Sequence, residues 1–195
     1  MALVQVRRHL GSNGDIMTKK TLICLTVSAL YLASPSGSAK PRQQPSPPEV
    51  KKTTDSIVGK WSGQMTARIQ GMPPETFPWT MDCKPAAFGA GAACTNEGKA
   101  SIGSMSESCL LAYDPEGKAV HYMCVTSMGE VHDHKGQWKD AKTIEFEPLR
   151  AGMMGKLVTE TNRWSFPEPG VISKTSTVTM PDGTSMTFEY NGKRQ

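Results

Sequence analysis

The chain has 195 residues, of which 37% are hydrophobic and 21% charged, and its formal net charge is +4. That length supports one domain with a real core and leaves little room for a second. Much of the positive charge is local: Arg7, Arg8, Lys19 and Lys20 face only Asp15 in the first 39 residues, so the remainder carries about +1 and lacks the basic footprint of a nucleic-acid binder.

Residues 17–39 read as a secretory signal. Met17-Thr18-Lys19-Lys20 is a short basic start, Thr21 to Ala33 is apolar, and Gly37-Ser38-Ala39 places small residues where a signal peptidase cuts. Cleavage is expected after Ala39, with the mature chain starting at Lys40. The apolar run is well short of the roughly 20 residues that a membrane span needs, so no span is expected in the mature chain. Cys24 lies inside the apolar run instead of following a small residue at its end, which argues against a lipoprotein. Residues 1–16 precede a complete signal and read as an upstream extension, with Met1 and Met17 as alternative starts. Residues 40–54, with Pro41, Pro45, Pro47 and Pro48 among Gln, Ser and Lys, read as a solvated tether without core residues. The folded domain is expected over 55–195.

The opening stretch of that domain sets its pattern. Odd positions run Ile57, Gly59, Trp61, Gly63, Met65, Ala67 and Ile69, and even positions run Val58, Lys60, Ser62, Gln64, Thr66 and Arg68. This is the period of a strand with one apolar face. Gly59 and Gly63 flank Trp61 on its own face, where an indole needs room and a curved strand needs a place to bend. Phe77 to Cys83 alternates again, with Phe77, Trp79, Met81 and Cys83 on one face. Further strands follow at Ala92–Lys99, Cys109–Tyr113, Ala119–Ser127, Glu130–Trp138, Thr143–Glu147, Lys156–Phe166, Val171–Met180 and Thr184–Asn191. Asp114-Pro115-Glu116-Gly117, Met128-Gly129 and Pro181-Asp182-Gly183 supply turn residues between them. About ten short strands with no long helical period predict an all-β, antiparallel up-and-down barrel, since an open sheet of that size leaves two exposed edges.

Four cysteines remain after the signal: Cys83, Cys94, Cys109 and Cys124. An even number in an exported chain reads as two disulfides, with three connectivities possible. Cys83–Cys94 and Cys109–Cys124 require only contacts between neighbouring strands, although the second depends on hairpin register. A bulged turn at Gly117 would set Cys109 opposite Met123. Zinc is the competing reading, without a Cys-x-x-Cys spacing to support it.

Gly59-x-Trp61-x-Gly63 resembles the opening of lipocalin-like and fatty-acid-binding-protein-like barrels. Together with the Cys83…Cys94 pair, Leu111-Ala112-Tyr113-Asp114-Pro115, the Ser127-Met128-Gly129 turn, the many methionines and the terminal Phe188-x-Tyr190, it makes residues 55–195 similar to a bacterial family of exported lipocalin-like domains of unknown function. The resemblance implies a barrel with a ligand site and no established catalytic residues. It also implies a cation near the chain end, Lys193 or Arg194, packed on Trp61.

The sequence contains no phosphate-binding glycine loop, no nucleophile elbow and no Ser/His/Asp spacing, so no catalytic residue is nominated and no cofactor is named. Glu130, His132 and His134 share one face of a strand by parity, and the plain reading is a polar outer face beside a turn. A two-residue turn at Met128-Gly129 sets Met123 opposite His134 and His121 opposite Gly136. It thereby gathers His121, Met123, His132 and His134 on one face, a set suited to Cu or another late transition metal, with Glu130 able to orient a histidine. The methionines and Trp61, Trp79, Trp138 and Trp164 read first as core. Residues expected to line a ligand site are Phe77, Trp79, Met81, His121 and Met123. The leading expectation for function is an exported, periplasmic or secreted, binding or carrier domain for a small, mostly apolar molecule in the barrel. A metal or enzymatic site around His121, His132 and His134 is the alternative, and a ligand-free interaction module is the third. A hollow barrel favours the first, convergent histidines within it the second, and a filled interior the third.

Overall fold

The computed structural model describes residues 47–195 except Met154. The expected signal at 17–39 and its cleavage site lie outside the described residues. The chain is helical earlier than the composition of residues 40–54 suggests. Helix α1 spans Pro48–Ile57 and buries Val50, Thr53, Thr54 and Ile57, which recur at helical spacing on one face. Pro48 sits in the first turn, where a missing N–H costs no hydrogen bond. Residues 48–54 therefore contribute to the core, and the expectation of a tether without core residues up to Thr54 is corrected.

Eleven strands follow among the described residues: β1 Gly59–Ile69, β2 Glu75–Ala86, β3 Gly91–Ala100, β4 Gly103–Asp114, β5 Ala119–Thr126, β6 Val131–Trp138, β7 Thr143–Phe146, β8 Leu149–Met153, β9 Lys156–Ser165, β10 Val171–Thr179 and β11 Ser185–Arg194. Antiparallel neighbours run β10-β11-β1-β2-β3-β4-β5-β6-β7-β9, and β9 pairs back onto β10. The sheet is thus a closed barrel of ten staves, in which β8 is laddered on one side only, to β9. The strand missing from the sequence reading, β8, continues the stave begun by β7. β7 pairs with the C-terminal part of β9 and β8 with its N-terminal part. Pro148 lies at the break, where it has no N–H to give to a ladder, and the Glu147 N–H just before it donates instead to the Lys135 carbonyl at 2.8 Å.

The closed end is filled around Trp61. Its indole is 2% exposed, its Nε1 donates to the Ile57 carbonyl at 2.7 Å, and the Arg194 guanidinium lies 4.6 Å over its ring. Arg194 also donates to the carbonyls of Asp55 and Ser56, tying the last strand to α1. The implied terminal cation is therefore Arg194. Gly59, at φ +133°, leaves space for the Arg194 side chain, and a Cβ on Gly63 would stand 2.0 Å from the Asn191 carbonyl oxygen. The glycines flanking Trp61 thus admit an arginine and a neighbouring strand more than they admit the indole. On the other side of α1, the Trp138 Nε1 donates to the Thr53 hydroxyl at 2.9 Å.

Both expected disulfides are present, Cys83–Cys94 between β2 and β3 and Cys109–Cys124 between β4 and β5. The β4–β5 register sets Cys109 opposite Cys124, and positive φ falls on Lys118, not Gly117. Cys94 and Cys109 are also direct partners, so the four sulfurs form one row across four strands. Two disulfides mark a non-cytoplasmic, oxidising environment. Among the described residues no helix is long and apolar enough to cross a membrane.

The β5–β6 hairpin differs from the expected register by one residue. Gly129, at φ +81°, ends a three-residue turn in which the Gly129 N–H donates to the Thr126 carbonyl and the Thr126 N–H to the Glu130 carbonyl. This turn-plus-bulge replaces the two-residue turn. Tyr122 now faces His134, Cys124 faces His132, Met123 faces Asp133 and His121 faces Lys135.

Candidate functional site

The one-residue difference decides which side chains enter the barrel, because successive residues of a strand point to opposite faces. His132 and His134 lie on the inner face, 7% and 2% exposed, and Glu130 shares that face at 7%. The plain expectation of a polar outer surface at Glu130, His132 and His134 is therefore corrected. His121 and Met123 take the outer face. His121 lies 3.7 Å from Asp133, and Met123 is 45% exposed beside Leu110 and Val125. They join neither the histidines nor the lumen, so the expected set of His121, Met123, His132 and His134 does not form. Phe77, Trp79 and Met81 do point inward and are buried, Phe77 and Trp79 meeting edge to face at 6.3 Å.

Opposite the histidines stands Glu160 on β9, which the sequence reading did not nominate. Its Oε2 lies 2.8 Å from His132 Nδ1 and 3.5 Å from His134 Nε2, and its Oε1 accepts a 2.6 Å hydrogen bond from the Ser176 hydroxyl. On the far side of the His132 ring, Nε2 lies 3.6 Å from Glu130 Oε2. Among the described residues, three buried polar atoms here have no hydrogen-bond partner: His132 Nε2, His134 Nδ1 and Glu130 Oε1. The Glu160 hydrogen bond raises the His132 pKa against the effect of burial, whereas burial lowers that of His134. Burial works to raise the Glu160 carboxyl, but the His132 hydrogen bond and the nearby His134 outweigh it and hold the carboxyl below its usual range.

A second polar group runs along the lumen from β3 to β10. Asn96 Nδ2 donates to Glu107 Oε2 at 2.9 Å and lies 3.3 Å from the Tyr122 hydroxyl. Tyr122 packs edge-on against Trp164 at 4.5 Å and stacks near His134 at 6.1 Å. Lys174, on the inward face of β10 with Ile172 and Val178, carries its ammonium 3.9 Å over the Trp164 ring and 5.2 Å from that of Tyr122. Among the described residues it makes no ion pair, and burial lowers its pKa to about 8. The trace left in the sequence by Glu160 and Lys174 is parity alone: each is a charged residue at an inward position of an alternating strand.

Several inward side chains remain half-buried: Met65 on β1, Met105 and Glu107 on β4, Phe188 on β11, and Lys174 and Ser176 on β10. Met65 and Met105 pack against the main core cluster and Phe188 against a smaller one, and each keeps part of its surface accessible. A separate groove of about 630 Å³ runs over the outer wall between outward residues such as Gln137, Glu145, Arg163 and Thr175. It does not reach the histidines.

No protein-family model matches the chain, and no curated protein matches it. Solved structures do. Rv2717c from M. tuberculosis is 14% identical with a TM-score of 0.58, the match covering 72% of this chain and 93% of that one. The S-type phycobiliprotein lyase CPES from Guillardia theta is 11% identical with a TM-score of 0.51, covering 77% of this chain and 98% of that one. At such identities the likeness concerns the fold alone, a closed antiparallel β-barrel.

Proposed function

We propose that the chain is an exported binding or carrier domain that holds a small, mostly apolar molecule in its lumen, with an acidic end of that molecule against Lys174. The observation that carries this reading is the half-buried inward set: Met65, Met105 and Phe188 are apolar inward side chains that keep accessible surface, and the Lys174 ammonium on the same inner face makes no ion pair among the described residues. A barrel of this strand number can enclose one small ligand. A cation over an aromatic ring gains about 0.5–2 kcal/mol, less than the several kcal/mol that desolvating an ion costs. An anionic group beside Lys174 supplies the missing counter-charge. The two disulfides and the signal-like stretch at 17–39 support export.

The test is a titration of the disulfide-bonded chain from Lys40 with a straight-chain fatty acid and with the alcohol of equal length, read by tryptophan fluorescence. Saturable binding of the acid is expected, roughly 10–100-fold tighter than the alcohol, as a charge-assisted contact of about 1.5–3 kcal/mol implies. Lys174→Met should bring the two affinities together. Absence of binding, or equal affinity for acid and alcohol in the unaltered protein, contradicts the reading.

A further inference from the structure

A different set of observations, independent of the ligand at Lys174, concerns the histidines. We propose that His132, His134 and Glu160 form a site for a divalent first-row transition-metal ion of the zinc class inside the barrel.

The donor atoms are already gathered. One atom from each of the three residues lies within 4.8 Å of the other two, and all three residues are buried. Tetrahedral zinc bonds of about 2.0–2.1 Å imply ligand-to-ligand distances of about 3.3–3.4 Å. The separations at Glu160 Oε2, 2.8 Å to His132 Nδ1 and 3.5 Å to His134 Nε2, bracket that value. The ion would replace the direct His132–Glu160 contact, with that pair opening by about half an ångström to reach the tetrahedral spacing.

The surroundings match what a metal-bound histidine requires. A ligating imidazole generally donates its other ring N–H to a carboxylate or carbonyl. With Nδ1 on the metal, His132 presents Nε2 to Glu130, 3.6 Å away and equally buried. Ser176 holds the second oxygen of Glu160 at 2.6 Å. Charge points the same way: two carboxylates, Glu130 and Glu160, are buried beside the two imidazoles, and a divalent ion supplies the positive charge that neutral, metal-bound imidazoles do not.

Two imidazoles and one carboxylate form the three-protein-ligand set of an open zinc site, and imidazole also suits Fe, Ni and Cu(II). The soft thiolates that would select Cu(I) are locked in disulfides. His121 is excluded, because the β5–β6 register places it opposite Lys135 on the outer wall.

Calorimetric titration of the chelator-treated, disulfide-bonded chain with Zn(II) tests the site. The expected result is one ion per chain at micromolar affinity or tighter. Glu160→Gln and His134→Gln should abolish that binding, and Glu130→Gln should weaken it by about 10–100-fold, the usual cost of losing the carboxylate behind a ligand. His121→Ala should leave it unchanged. No saturable binding, or binding that Glu160→Gln retains, overturns the proposal. Should the variants fail to fold, ring ¹H–¹⁵N spectra of the unaltered protein decide. Zn(II) should then shift the resonances of His132 and His134, and a shift confined to His121 overturns the proposal.

Discussion

Lys174 has its ammonium over Trp164, with Glu107 from β4, Tyr122 from β5 and Tyr190 from β11 as the other titratable groups around it. Its pKa, lowered by burial from 10.5 to about 8, gives the proposed ligand contact a definite pH dependence. The charged ammonium is the binding form, so affinity for a fatty acid should be full below about pH 8 and fall as pH rises through that value. Stability of the unliganded barrel should move the other way. Between about pH 8 and 10.5 the unfolded chain holds more protons at this lysine than the folded one, so stability rises with pH across that window. Fluorescence titrations and urea unfolding at matched pH read the two opposed slopes, and Lys174→Met should flatten both. Trp61 answers to packing alone. Removing its indole leaves a cavity at the closed end and strips Ile57 and Arg194 of their contacts. Trp61→Ala should therefore cost about 3–5 kcal/mol in urea unfolding, and a loss near zero would contradict its placement.

At the scale of elements, strand positions were readable from alternation, and nine of the ten expected strands needed only small changes at their ends. The tenth, Cys109–Tyr113, extends N-terminally to Gly103, where Ser104, Ser106 and Ser108 gave no apolar signal for its outer face. Register was harder. Met128-Gly129 carries the residues of a two-residue turn as readily as of a three-residue turn with a bulge. The choice depends on whether Cys124 and Tyr122 or Val125 and Met123 pack inside. The row of paired cysteines settles that choice through contacts between strands, which no local pattern contains. Helix α1 was hidden for a related reason. Its proline and lysines match a tether, and its four buried residues acquire meaning only when a barrel end is there to receive them. β8 lacks alternation because Gly152 and Ala151 carry little side chain. The disulfides offer a direct check at this scale. Replacing Cys83 and Cys94 together by alanine should cost about 2–4 kcal/mol, mostly through the unfolded chain. A cost near zero would mean that the pair is not closed in solution.

For the whole molecule, a barrel, two disulfides and a capping tryptophan were all foreseeable from Gly59-x-Trp61-x-Gly63, the cysteine spacing and the strand count. The content of the lumen was not. His132 and His134 were visible as a pair, but their partner Glu160 lies 26 residues beyond His134 and meets them because β9 is the next strand but one to β6 in the sheet, past β7. Lys174 meets Trp164 through the β9–β10 pairing that closes the barrel. Met65, Met105 and Phe188 looked like ordinary core residues, and only the folded barrel shows that each keeps part of its surface accessible on the inner face. Native mass spectrometry of the protein purified from its source, compared with the same sample after denaturation, reads whether the barrel holds a small molecule as proposed. The expected native mass exceeds that of the disulfide-bonded chain by one small organic molecule, lost on denaturation and absent from Lys174→Met. A native mass equal to that of the bare chain, across preparations, would rule the proposed carrier out.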